Sequence, residues 1–174
     1  IVIRSLAPRP WQNEMEQPVL ALAEDGSAVV ALRAGVVVVS SLAALNAAGK
    51  ARGQENEINR TAATAEFYLA RQENAYRGYL LSRDGYYLDR VNQHRAKFLE
   101  AMEKLRADLP AERDAPVEKA LQANAEWYKH VVEAGQALIA EGKVAEAASM
   151  VGRQGVADNY MGPSEDAINE LQET

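Results

Sequence analysis

Apolar positions recur at alternating steps of four and three on both sides of Ser82-Arg83-Asp84-Gly85. Before that segment the series is Ile58, Ala62, Ala65, Leu69, Gln72, Tyr76 and Tyr79; after it comes Leu88, Val91, Arg95, Phe98, Met102, Leu105 and Leu109. This spacing draws one stripe down each of two helices, so residues 66–109 read as a helical hairpin. Gly85 is expected to supply the left-handed residue of the turn, and Pro110 to close the second arm. "PAERDAP" is a second connection, with Asp114 expected as N-cap and Pro116 in the first turn. A third helix then carries Val117, Leu121, Asn124, Tyr128, Val131, Gly135 and Leu138, and ends at Glu141-Gly142. A fourth opens near Lys143 with Val144, Ala147, Ala148 and Val151, and recovers with Ala167, Ile168 and Leu171. Between these parts lie Gly152, Gly155 and Pro163, which predict a kink or break and a candidate signalling joint.

Four helices with short connections predict an all-α, antiparallel up-down-up-down four-helix bundle over residues 51–174. The arms measured from the Asp84 tip back to Ala48, and from the Gly142 tip on to Thr174, are nearly equal. Both ends would then meet a membrane at one level, and the last helix is expected to run on past Thr174.

Residues 1–50 form an N-terminal extension with a different pattern. Pro8, Pro10 and Pro18 discourage a long early helix, and Asp25-Gly26 could turn a short β-hairpin between residues 19–23 and 28–32. Residues 28–48, "AVVALRAGVVVVSSLAALNAA", hold Arg33 as their single charge and would reach about 31 Å as a helix, close to the thickness of a bilayer core. Two readings stand: a first transmembrane segment or its remnant, and a buried helix or strand. Lys50 and Arg52 on the far side run against the positive-inside rule.

Composition narrows the function classes. The net charge is -6, with 25 acidic and 19 basic residues; no helix carries a basic stripe, which sets nucleic acid aside. With no cysteine there is no disulfide framework and no thiolate site. His94 and His130 have Val91 and Trp127 three residues before them, not the glutamate that a carboxylate-bridged metal bundle requires. Neither metal nor cofactor is expected, and no enzyme motif appears.

Counting down from the tips puts polar seam positions in one layer. Gln72 and Arg95 should face each other roughly 17 Å below Asp84, with Tyr128, His130 and Arg153 at a similar depth on the other arms. Two arginines, an amide and aromatic rings could hold the carboxylate of a small organic anion. Alternatively Gln72 only fixes register and the arginines pair with surface acids. Arg77 is placed to pair with Glu73 one turn back, and His94 beside the seam is expected to be partly exposed.

Arg77-Gly78-Tyr79-Leu80-Leu81 leading into the turn, Tyr87-Leu88 after it, and "GKVAEAASMV" at residues 142–151 carry a resemblance. Residues 56–174 are similar to the extracytoplasmic four-helix sensor domains of bacterial methyl-accepting chemotaxis proteins and to the related helical sensor domains of histidine kinases. The resemblance implies a non-enzymatic periplasmic ligand sensor in the bacterial inner membrane. Such a module forms a homodimer and passes a conformational signal along its first and fourth helices. A soluble structural bundle acting by helix association is the reading from another class.

Overall fold

In the computed structural model, residues 27–152 and 155–172 are described, with side-chain surroundings given from residue 37 onward. The described chain is all-helical, and no strand occurs among the described residues. Helix α1 spans Ser27–Ser82 and α2 Gly85–Asp108. A short 3-10 turn, Ala111–Arg113, leads to α3, Ala115–Trp127. A π-helical stretch, Tyr128–Glu133, passes directly into α4, Ala134–Ala140. Two further helices follow, α5 at Val144–Ser149 and α6 at Ala157–Gln172. By packing, the chain divides into Ile1–Arg52 and Gly53–Thr174.

In the first unit, residues 28–32 are helical, which removes the expected β-hairpin; its other arm, residues 19–23, lies outside the described residues. The valine run is helical rather than a strand. Val37, Val38, Val39, Leu42 and Leu45 are all more than half exposed, so the expected burial is absent here. Among the described residues no helix is long and apolar enough to cross a membrane. The candidate span of residues 28–48 includes residues 28–36, whose side chains lie outside the described set.

In the second unit the four-three stripes form the core. Ile58, Ala62, Ala65, Leu69, Gln72 and Tyr76 of α1 are buried, as are Val91, Phe98, Met102 and Leu105 of α2. The two arms pair from base to tip. Gln54 Nε2 donates to the Asp108 carbonyl (2.9 Å), Lys104 pairs with Glu57, and Tyr68 stacks on His94 at 5.9 Å. Near the tip the Tyr87 ring lies so close to Gly78 that a Cβ there would meet ring carbons at 2.6 and 2.7 Å. Glycine in this motif is what lets α2 approach α1.

The turn is built differently from its sequence signature. The left-handed residue is Arg83, at φ 58°, not Gly85. Its N–H donates to the Tyr79 carbonyl at 2.7 Å, the bond that closes a helix through a left-handed residue. Asp84 is extended and serves as the N-cap of α2, accepting from the Tyr86 N–H at 2.9 Å. Gly85 is therefore the first residue of α2. The second connection also differs, because Asp114 has helical backbone angles and makes no side-chain cap.

On the opposite arm, the phenol of Tyr76 donates to the Val131 carbonyl at 2.9 Å inside the π-helical stretch. A Cβ on Gly135 would lie 1.8 Å from the Tyr76 phenol oxygen. The widened turn offers the carbonyl, and glycine one turn on leaves room for the ring to reach it. Burial, and then neighbouring Tyr79, hold the Tyr76 phenol above its ordinary range, so it stays a neutral donor. Beyond Gly142 (φ 80°) the chain breaks between Ser149 and Ala157. There a Cβ on Gly155 would stand 2.2 Å from the Met150 carbonyl oxygen, which accepts from the Ala157 N–H at 2.9 Å. The break closes before Pro163, which lies inside α6.

Two outcomes follow for urea unfolding of the chain. Arg83→Gly is expected to raise stability by about 0.5–1 kcal/mol, since relief of a left-handed arginine outweighs the added freedom of the unfolded chain. Gly135→Ala is expected to lower it by about 1–3 kcal/mol despite its better helix propensity, because the methyl and the Tyr76 oxygen cannot share the space.

Candidate functional site

The depth count down the two arms brings Gln72 and Arg95 into one network, with Asn124 of α3 as the joining residue. Arg95 Nε donates to Asn124 Oδ1 at 3.3 Å, and Asn124 Nδ2 donates to Gln72 Oε1 at 3.0 Å. Gln72 and Asn124 have no exposed surface. The Arg95 guanidinium lies over the Tyr128 ring, 4.4 Å from its centroid, and the Tyr128 hydroxyl donates to Asn92 Oδ1 at 2.8 Å. One polar chain thus ties α1, α2 and the helix formed by α3 and its π-helical continuation. Buried amides are costly unless bonded, so this layer fixes their mutual register.

The layer is not fully satisfied. Gln72 Nε2 and the indole Nε1 of Trp127 are buried without a hydrogen-bond partner among the described residues. Trp127 packs edge-on against Tyr76 at 6.1 Å, so both unpaired donors belong to the tightest part of the core.

The other sequence-selected residues go elsewhere. His130 pairs through Nε2 with Glu126 Oε2 at 2.9 Å and stacks on Tyr160 of α6 at 5.2 Å. Arg153 lies outside the described residues. Arg77 meets Glu73 at 2.6 Å, one turn back. Gly152 and Gly155 sit in the break, and Pro163 stands in the second turn of α6, where its missing N–H leaves the Asn159 carbonyl without the usual helical partner. Among the described residues no group of three or more His, Cys, Asp and Glu is arranged to hold a metal ion.

A second feature was not singled out from the sequence. Between α1 and α2, above the polar layer, is an open pocket of about 240 Å³. Arg71 and Asn74 line it from α1; Tyr86, Tyr87, Arg90 and His94 line it from α2. These positions are one helical turn apart on each arm, but they flank the seam rather than follow it. His94, expected to be partly exposed, is buried (8% exposed) and forms the floor. Its pKa lies below the ordinary histidine value because burial disfavours the imidazolium, with the charges of Arg90 and Arg71 adding to the effect. Neither arginine is paired with a carboxylate among the described residues. Arg90 donates to Gln93 at 3.2 Å, and Arg71 lies over the Phe67 ring at 5.5 Å.

Comparison with known proteins assigns these helices to a class, the extracellular sensory domains. Residues 48–174 match the CHASE3 domain, and the chain belongs to that family, whose members serve as sensory domains in chemotaxis receptors and histidine kinases. No curated protein and no solved structure matches the chain.

The lowered pKa of His94 sets a pH dependence. The unfolded chain binds its proton near pH 6.5 and the folded chain only at lower pH. His94 therefore adds no penalty above about pH 6.5 and destabilises the fold as pH falls from there through its folded value. The urea midpoint is expected to drop between pH 7.5 and 5.5, and the drop to be smaller in His94→Gln. An equal drop in both proteins assigns it to other groups.

Proposed function

We propose that the chain is the periplasmic ligand-sensing module of a bacterial transmembrane chemoreceptor, built as an antiparallel up-down-up-down four-helix bundle. The observation that carries this reading is the CHASE3 match over residues 48–174. The helix that enters the domain adds to it: just before residue 48, α1 presents Val37, Val38, Val39, Leu42 and Leu45 as exposed apolar side chains, as a helix bound for a membrane would. Contacts between α1 and α2, between α2 and α3 and between α3 and α6 support the bundle. Arg106 pairs with Glu118, and the Ser164 hydroxyl donates to the Ala120 carbonyl at 3.0 Å.

The module acts without catalysis and without a cofactor. A small molecule, such as an organic anion, binds two helix arrangements unequally and shifts their balance. The Gln72–Asn124–Arg95 layer resists gradual sliding, because a shift of one arm breaks buried hydrogen bonds, and so favours two discrete registers. Because α5 ends at Ser149 and α6 begins at Ala157, α6 can shift as a separate helix. Homodimerisation and attachment to the membrane through flanking helices complete the receptor. The same family serves histidine kinases, so a kinase output is the alternative, decided by the domain that receives the signal.

With no cysteine in these 174 residues, a single introduced cysteine tests sidedness in the parent protein, read against the parent without that substitution. Leu81, 88% exposed at the tip of the hairpin, is replaced by Cys and treated with a membrane-impermeant maleimide. Labelling is expected in intact cells with a permeabilised outer envelope. Labelling only after the inner membrane is lysed would place the domain in the cytoplasm and end the receptor reading.

A further inference from the structure

We infer that the pocket between α1 and α2 binds a small dicarboxylate, held by Arg71 from one wall and Arg90 from the other, with His94 at its floor. The inference rests on the sensor reading and gives it a site and a ligand class. Three observations carry it. Arg71 and Arg90, from different helices, line one pocket, and neither is paired with a carboxylate among the described residues. The carboxylate closest along α1, Glu73, is taken by Arg77. Unpaired cations brought together repel one another, and an anion of matching charge removes that cost.

The remaining lining fixes the class further. Arg90 spends one donor on Gln93, which leaves most of its five N–H groups for a bidentate carboxylate. Asn74 adds an amide that can donate or accept. The rings of Tyr86 and Tyr87 wall the upper side, Tyr87 being seated by its close approach to Gly78. At about 240 Å³ the pocket is smaller than the roughly 300–1,000 Å³ that takes drug-sized ligands. A short chain with a carboxylate at each end meets both arginines across an apolar middle; a cation or a neutral sugar does not. Such a ligand would bridge the two arms of the hairpin just above the polar layer, where holding them together bears on the Gln72–Asn124–Arg95 register.

The test is calorimetric titration of the 174-residue chain with succinate, glutarate, acetate and inorganic phosphate. One of the two dicarboxylates is expected to bind at least about tenfold more tightly than acetate or phosphate. Arg71→Gln and Arg90→Gln are each expected to weaken that binding about tenfold or more, a loss of roughly 1.4 kcal/mol. Arg95→Gln should leave it within about twofold. Matched thermal melts confirm that the variants fold; Arg71 is exposed, so its replacement reports binding rather than folding. As a second readout, the His94 ring, which faces Arg71, Arg90 and the Tyr68 ring, should titrate at higher pH by nuclear magnetic resonance once the dicarboxylate is bound. Equal binding of phosphate overturns the dicarboxylate assignment. Loss in Arg95→Gln alone moves the anion to the polar layer and overturns the pocket. No binding of any of the four overturns the inference, while external labelling of Leu81→Cys would still uphold the receptor.

Discussion

The bond from the Tyr76 phenol to the Val131 carbonyl governs how the second unit can be packed. A helix carbonyl keeps a second lone pair beside the one its own N–H uses, so a side chain from another helix can share it where the approach is clear, as the Ser164 hydroxyl does at Ala120. The Val131 carbonyl, in the π-helical stretch Tyr128–Glu133, accepts both the Ala134 N–H and the phenol, and Gly135 clears the approach. With the phenol in place, Trp127 is set edge-on against Tyr76, and one turn away Gln72 meets Asn124. The widened turn, the glycine, the indole and the amide pair therefore form one interlocked arrangement.

Around that arrangement the chain passes from long helices to shorter ones. The stripes of α1 and α2 are buried over most of their length within the second unit, with Tyr79, Leu88 and Arg95 partly exposed. Between α5 and α6 the described backbone bonds include one from the Ala157 N–H to the Met150 carbonyl.

Much of this was legible in the sequence because burial follows a short repeat. The seams of α1 and α2 were readable residue by residue, and counting from the tip was enough to bring Gln72, Arg95 and Tyr128 together. Backbone detail was not legible. Arg83 takes the left-handed position although a glycine stands two residues on, because Asp84 is better used as a cap and Gly85 tolerates the first helical turn. Nothing in "YKHVVE" announces a π-helical turn. The pocket was hidden for another reason: Arg71, Arg90 and His94 lie beside the seam, where neighbours depend on how two helices face each other, and a one-dimensional repeat does not encode that.

The outer edge where α1 meets α6 carries a different lesson. Glu165 is held above the ordinary carboxylate range by lost hydration and by the charges of Glu73, Asp158, Asp166 and Glu66. A second copy brought against that edge would meet charge of its own sign. Self-association through it would strengthen with rising ionic strength, since salt screens repulsion between the copies; an interface of matched opposite charges responds in the reverse sense.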